Sequence, residues 1–497
     1  MGNTLATKKK KNTAYWINSA IGIILMIGFA FLPAPGAVTQ SGMAVLGIFI
    51  ALIYLIATVD LVWPAILAIG VFGFWALQVY PDAGSNGLAY AIAQSFGNDT
   101  TVFIILMLLV CEALHQSGAM RRMALWFVTR SFAKKGAWPF TFMLMLAGFV
   151  ISAVMDPVPA ALAMIMVSKE LFAAIGFRKG DSYPKMVVAA MCMIACIGFG
   201  MTPIGHNLPV AVLALVPAAS GLPVNVLQYL VIGLPIGILT FLGMFFYFKL
   251  FVKPDVSPFA SLDFSKIEAM RPGKMSARET ITTVVCVLVL VLWVLPGFLD
   301  IFCPGTALGN MLNTYGLNLP ILFAVVFLAV VRLEGKPILD IPEAASKISW
   351  TTVFMFGGII MIAVALSQDS TGIMEWMKGW LTPIFSGMGS WLAVAIVAVL
   401  VIVLTNILND IAVAFVMGGL AAPIALSAGI DPGILIVVAA AGACWAYTTP
   451  AASPVMTFAV TDEYCDSGYV LRHGVVVFLI NVVLAAILAF PLGSLAF

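Results

Sequence analysis

Two aspartates stand alone in long apolar surroundings. Asp156 is the one charge between Trp138 and Ser168, in the segment Met155-Asp156-Pro157-Val158-Pro159. Asp410 is the one charge between Gly379 and Ile430, in Thr405-Asn406-Ile407-Leu408-Asn409-Asp410. An ionisable side chain within a membrane-embedded stretch marks a functional site by default. A carboxylate there has two uses. It adds charge to a set of oxygen ligands around a cation, and it takes up a proton, because burial disfavours its charged form. The structural alternative is a cap at a turn, which Asp and Asn both favour. That the arrangement occurs twice weighs against it.

The elements that must hold these aspartates are unusual. The stretch 137–174 is too long for one ordinary span. Split at the Asp-Pro-Val-Pro break it gives two limbs of roughly 15 residues, each rising about 22 Å as a helix. That falls short of a hydrocarbon core of roughly 30 Å, so the stretch reads as a re-entrant helical hairpin with Asp156 at its tip. A second hairpin is expected over 387–428, with limbs 391–404 and 411–426 around Asp410. Each is followed by an apolar stretch broken in its middle. The first, 183–217, is interrupted by Gly198, Gly200 and Thr202–Pro209; the second, 433–460, by Thr448–Pro454. Both read as two half-helices around unwound backbone, with Pro203, Pro450 and Pro454 as helix breakers. Non-helical backbone at membrane depth is tolerated only inside protein or beside a water-filled cavity. His206, as donor to an anion or proton carrier, and Asn207 and Ser453, as hydrogen-bonding groups, are therefore candidates. Half-helix N-termini facing such a cavity hold an anion without Arg or Lys, and neither hairpin core nor either break contains one.

The composition agrees. Of 497 residues 62% are hydrophobic and 9% charged, where a soluble chain carries about 25% charged residues. Repeated apolar runs of span length make this an all-α polytopic membrane protein, without the alternating signature of a membrane barrel. The net charge of +2 identifies no partner, and nucleic acid is not expected. Seven cysteines are scattered, mostly within apolar runs. Cys192 and Cys196 share a helix face but have no His or further Cys nearby, so they read as core packing. No phosphate loop, zinc spacing or nucleophile elbow stands in context, so no enzyme activity and no cofactor are expected.

In chain order, a cytoplasmic N-terminus (1–14) with Lys8–Lys11 precedes a first half over 15–250, a basic linker over 251–279 and a second half over 280–497. Spans are expected at 15–32, 41–58, 61–79, 101–115, 226–248, 280–298, 320–331, 352–366 and 475–492, with loops at 80–98 and 299–317. With the two broken helices this makes about 11 transmembrane helices plus two hairpins. Amphipathic helices precede each hairpin, at 120–135 (with Arg121, Arg122, Arg130, Lys134 and Lys135) and at 372–385. Ordered matches link the halves: Thr101-Val102-Phe103 with Thr352-Val353-Phe354, Asp156 with Asp410, and Thr202-Pro203-Ile204-Gly205 with Thr449-Pro450-Ala451-Ala452. Placing the N-terminus in the cytoplasm and the C-terminus outside puts all of the 24 Lys and Arg except Lys378 on or near the cytoplasmic side, a strong positive-inside distribution. The hairpins then open to opposite faces, making the repeats inverted. A plasma (inner) membrane location is expected.

Two hairpins and two broken helices in inverted repeats resemble the divalent anion/sodium symporter family of the ion transporter superfamily, over 101–217 and 352–460. Where that family carries Ser-Asn-Thr at each tip, this chain has Met155-Asp156-Pro157 and Asn409-Asp410-Ile411. Where the family carries a Thr-Pro-Pro-Asn-type loop, it has Gly205-His206-Asn207-Leu208-Pro209 and Ala452-Ser453-Pro454-Val455-Met456. Thr202-Pro203-Ile204-Gly205 is a good match. The resemblance implies sodium ligands near Ser152, Asp156 and Gly205 in one site and Thr405, Asp410 and Ala452 in the other. It implies substrate contacts at Asp156, His206, Asn207, Asn409, Asp410 and Ser453, a homodimer, and hairpin domains moving as a rigid unit. The expected partners are a small anionic substrate (a di- or tricarboxylate, or sulfate) and the lipid bilayer. Carboxylates in place of the family's donors leave Na+ and H+ both open as coupling ion. They also leave a second reading, a cation/proton antiporter using Asp156 and Asp410.

Overall fold

Inside a bilayer the backbone has no water to bond, so an apolar chain satisfies its N–H and C=O groups within helices. The computed structural model describes residues 13–82, 86–203, 207–213, 224–262, 264–271, 273–366, 368–408, 410–449 and 452–497. Lys8–Lys11, Gly205, His206 and Asn409 lie outside the described residues, as does the side chain of Asn207. Among the described residues the chain is helical apart from loops and one antiparallel pair, Arg332–Leu333 with Lys336–Pro337. Ten helices among the described residues are long and apolar enough to cross a membrane, or up to 12 if two bent pairs each count as one span. Four of the ten are the limbs of the two helix pairs around Asp156 and Asp410. The protein is thus an all-α polytopic membrane protein.

The helices group into two units that do not follow the sequence halves. One comprises the described residues up to Thr101 with Trp350–Trp380. In it Thr39 caps the helix Gln40–Thr58 by accepting from the Gly42 amide at 3.1 Å, and its hydroxyl donates to the Ser370 carbonyl at 2.8 Å. The expected loop over 80–98 instead contains the helix Gly87–Phe96, started by Asn86, whose side chain accepts from the Ala89 amide at 3.1 Å. Its buried positions are Gly87, Ala91 and Ser95, a stripe of small residues whose low hydropathy hid it. Small side chains let the backbones come close: a Cβ on Gly87 would meet the Gly73 carbonyl oxygen at 2.5 Å.

The other unit, Val102–Ser349 with Leu381–Phe497, holds both aspartates. The stretch around Asp156 forms two antiparallel helices, Ala137–Val154 and Pro157–Ile175; the stretch around Asp410 forms Ser390–Ile407 and Asp410–Ala428. Limbs of 18 and 19 residues rise about 27–28 Å, more than the apolar pattern implied. In the first pair the second limb already begins on Pro157, since Pro is accepted in the first turn of a helix, and its two charges, Lys169 and Glu170, are ion-paired to Asp462 at 2.7 Å and Arg121 at 2.7 Å. The interrupted helices run Ser182–Gly200 then Asn207–Leu213, and Pro432–Cys444 then Pro454–Thr461. The loop expected before 317 likewise contains a helix, Ala307–Tyr315, capped by Thr306.

A single 30-residue helix, Ser467–Ala496, spans this unit beside Val226–Tyr247. Asn481 Nδ2 donates to Thr240 Oγ1 at 2.8 Å between them. The open end of the first helix pair sits at its start, where Lys185 Nζ meets Asp466 Oδ2 at 2.5 Å. The open end of the second sits near its finish, where Trp391 Nε1 donates to the Ile487 carbonyl at 3.3 Å and Gly433 packs on the Phe497 ring. From Asp466 to Ile487 a helix rises about 30 Å, so the two pairs open at opposite ends of one long helix.

Candidate functional site

The helix Asp410–Ala428 begins on the aspartate itself, which is 5% exposed. Its amide donates to the Ala452 carbonyl at 3.1 Å, its Oδ1 accepts from the Ile411 amide at 2.8 Å, and the Ser453 side chain lies beside the carboxyl. Asp410, Ala452 and Ser453 therefore form one cluster between the turn of the second helix pair and the unwound backbone of the second interrupted helix. Ser453 Oγ also receives Cys196 Sγ, at 3.9 Å, from the first interrupted helix. The two interrupted helices meet again where Gly200 faces Trp445: a Cβ there would lie 2.6 Å from the indole Nε1.

Asn406 holds the unwound stretch in place. Its Nδ2 donates to the Trp445 carbonyl at 2.8 Å and the Ile402 carbonyl at 2.9 Å; its Oδ1 accepts from the amides of Tyr447 at 3.0 Å and Thr448 at 3.2 Å. Thr448 Oγ1 returns a bond to the Asn406 carbonyl at 2.8 Å. Thr405 Oγ1 donates to the Ala443 carbonyl at 2.6 Å, on the last turn of Pro432–Cys444. Beyond Thr448, the Thr449 hydroxyl and carbonyl both accept from the Ala452 amide, each at 3.2 Å. That turn presents Ala452 and Ser453 to Asp410.

The first half is built similarly but held more simply among the described residues. Asp156 caps Pro157–Ile175, its Oδ1 accepting from the Val158 amide at 3.0 Å, and is half-buried beside Cys111. Ser152 is buried, and its hydroxyl donates to the Gly148 carbonyl at 2.6 Å within its own helix. Thr202 Oγ1 donates to the Ala153 carbonyl. In each half, then, a threonine at the helix break bonds the penultimate carbonyl of the preceding limb: Ala153 in Ala137–Val154, Asn406 in Ser390–Ile407.

The fold thus joins Asp410, Ala452 and Ser453 directly and sets Thr405 on the last turn of the limb Ser390–Ile407. Ser152 and Asp156 share the other turn. The sequence reading missed Asn406, Thr448 and Thr202, whose roles lie in distant backbone partners, and passed over Cys196 as core. Chemically the cluster offers acceptors, namely a carboxylate, carbonyls and hydroxyl lone pairs. Such a set suits a cation, or a proton on the carboxyl, and a bare anion only once positive charge is supplied.

Outside the membrane-embedded segments, charge gathers at the open end of the first pair. Lys169 Nζ lies 2.7 Å from Asp462, Lys179 pairs with Glu463, and Lys185 pairs with Asp466. The hydrogen bond from Lys179 holds the Glu463 carboxyl below the usual range, and that from Lys185 does the same for Asp466.

Paired helices meeting interrupted helices, with a carboxylate and unwound carbonyls inside an apolar bundle, define a multi-pass membrane transport protein. Residues 48–442 match the citrate transporter family, CitMHS, and the chain belongs to that family. It is 23% identical over 485 residues to the sodium-dependent dicarboxylate transporter SdcS of Staphylococcus saprophyticus, covering 90% of this chain and 86% of that one. Its fold is similar to the YdaH transporter of Alcanivorax borkumensis (TM-score 0.56, 15% identity, 91% of this chain and 98% of that one). It is also similar to MtrF of Neisseria gonorrhoeae, from a class of antimetabolite efflux pumps (TM-score 0.54, 14% identity, 98% and 96%). The protein is a secondary transporter of the citrate transporter family, within the superfamily the motifs resemble, and not an enzyme.

Proposed function

We propose that the protein carries a small di- or tricarboxylate across the membrane by symport with sodium, the carboxylate of Asp410 and the carbonyl of Ala452 forming part of a cation site. The observation that carries this reading is the Asp410–Ala452–Ser453 cluster, acceptor-rich and buried where a helix turn meets unwound backbone. Two physical points support it. A polycarboxylate entering a site whose fixed charge is negative needs cations to make the loaded state neutral. Half-helix N-termini, at Pro157 and Pro454, supply partial positive charge toward the anion. The sodium dependence of the SdcS relative favours sodium over protons.

Alternating access is by an elevator movement in this reading. The helix pairs act as inverted re-entrant hairpins, which their open ends at opposite ends of Ser467–Ala496 support. The N-terminus is cytoplasmic, the C-terminus is external, the membrane is the plasma (inner) membrane, and the working form is a homodimer. The test is uptake of labelled citrate, succinate and sulfate into proteoliposomes under an imposed sodium gradient and, separately, a proton gradient. Sodium-driven concentrative uptake of a carboxylate supports the reading. Proton-driven uptake replaces the coupling ion. No anion uptake with sodium-dependent collapse of a pH gradient establishes the antiporter instead.

A further inference from the structure

Asn406 sits four residues before Asp410, as Ser152 sits four before Asp156, but the two behave differently. The Ser152 hydroxyl bonds within its own helix. Asn406 bonds Trp445, Tyr447 and Thr448 on the unwound segment, through side-chain donor, side-chain acceptor and backbone carbonyl together. It is 5% exposed, so those bonds face little competition from water. We propose that Asn406 is the positioning residue of the cation site: it fixes the course of Trp445–Thr448 so that the following turn presents the Ala452 carbonyl and the Ser453 hydroxyl to Asp410 before the cation arrives. The inference rests on the cation-coupled reading above and assigns a residue to it.

The reason is conformational entropy. Fixing one backbone residue costs about 1–2 kcal/mol, and an unwound segment has no helix ladder to hold it. Left free, the segment would be ordered by the cation at the expense of affinity; held by Asn406, it meets the cation already ordered. Asn406 touches the backbone and not the ion, so its loss weakens cation binding while the anion's own contacts persist.

The test is uptake by the full chain in proteoliposomes, titrating the driving cation at fixed anion and the anion at saturating cation. Asn406→Ala is expected to raise the half-saturating cation concentration at least about tenfold, as loss of outer-shell partners of a bound ion does. The anion half-saturation at saturating cation stays within about threefold. Thr448→Val, which removes one bond of the same clamp, shifts the cation value in the same direction by about threefold. It also keeps the test open if Asn406→Ala does not fold. Thr141→Val, which removes a buried hydroxyl bond to Tyr183 at the open end of the first pair, leaves the cation value unchanged and controls for general loss of packing. Equal cation half-saturation in wild type, Asn406→Ala and Thr448→Val overturns the proposal while leaving cation coupling intact. Wild-type uptake indifferent to any cation gradient overturns the coupled reading and this inference with it.

Discussion

The amide of Asp410 donates to the carbonyl of Ala452 at 3.1 Å, joining the first residue of one helix to an unwound segment 42 positions later in the chain. Separating the two segments breaks that bond. In the proposed cation site, a load on Asp410 reaches the helix break through this bond. This relationship makes the second aspartate a different object from the first, which is half-buried and caps its own helix.

The two aspartates accordingly differ in what their removal does. Asp410→Asn keeps the shape and the amide bond to Ala452 while deleting the charge, and ion-driven uptake is expected to fall by more than about tenfold. Asp156→Asn keeps an acceptor for the Val158 amide, so thermal stability changes little and only transport responds. Initial uptake rates alongside melting curves of both variants check this. A folded Asp410→Asn with wild-type coupled uptake would remove Asp410 from the site.

Arg122, on the amphipathic stretch over 120–135, forms a two-pronged ion pair with Glu279, Nη2 to Oε2 at 2.8 Å, and donates to the Gly273 carbonyl at 2.5 Å. Glu279 is buried, so Arg122→Met strands a carboxylate and is expected to cost about 3 kcal/mol. Arg122→Lys recovers only part, because an ammonium cannot reproduce the fork. Arg121→Met, deleting the exposed pair with Glu170, costs less than about 1 kcal/mol. Melting temperatures of the three variants give the order.

The ion pairs at the open end of the first helix pair predict a pH dependence with a definite sign. Glu463 and Asp466 are held below the usual carboxylate range by their lysines. Their contribution is complete above the unfolded values near 4 and is lost as pH falls through the lowered folded values. Lys179, raised by its hydrogen bond to Glu463, contributes below its ordinary value of about 10.4 and loses that contribution only at still higher pH. The difference in melting temperature between wild type and Lys179→Gln/Lys185→Gln should be flat from about pH 5 to 9 and close below about pH 4. High salt should shrink it, since these groups are exposed. A gap that widens on acidification would contradict the assignment.

Two native cysteines report the membrane orientation. Cys303 is exposed just after Ala277–Phe302, and Cys465 lies between Pro454–Thr461 and Ser467–Ala496. With all other cysteines replaced, a membrane-impermeant maleimide is expected to label Cys303 from the external side and Cys465 from the cytoplasmic side. Burial pushes the Cys465 thiol up to about 11, so its labelling should be slow at pH 7 and quicken with rising pH. Labelling of both from one side would overturn the proposed topology.

Much of the architecture was legible because its signals are local. The limbs Ala137–Val154 and Pro157–Ile175 occupy almost the stretch read from apolar runs around Asp156, and the interruptions fall at the Gly- and Pro-containing segments. The helix Gly87–Phe96 was missed because small residues fill its buried positions, and Ala307–Tyr315 because a glycine, two asparagines and a threonine interrupt its apolar pattern. The pairing of Arg122 was not legible because its partner lies 157 residues away.

The sequence by itself determined that this chain lives in a membrane, that it carries two isolated carboxylates at helix turns, and that helix breaks follow each. Apolar length, the cost of a charge in lipid, and the stereochemistry of Gly and Pro act over a few residues, so they can be read in one dimension. Only the tertiary structure decided that Asp410 meets Ala452 and Ser453, that Asn406 holds the unwound backbone, and that Cys196 reaches across to Ser453. Asn, Ser, Thr and Cys carry donors and acceptors that suit many partners equally well. Which partner each finds depends on how helices far apart in sequence come to lie side by side, and that choice is made by packing the whole unit.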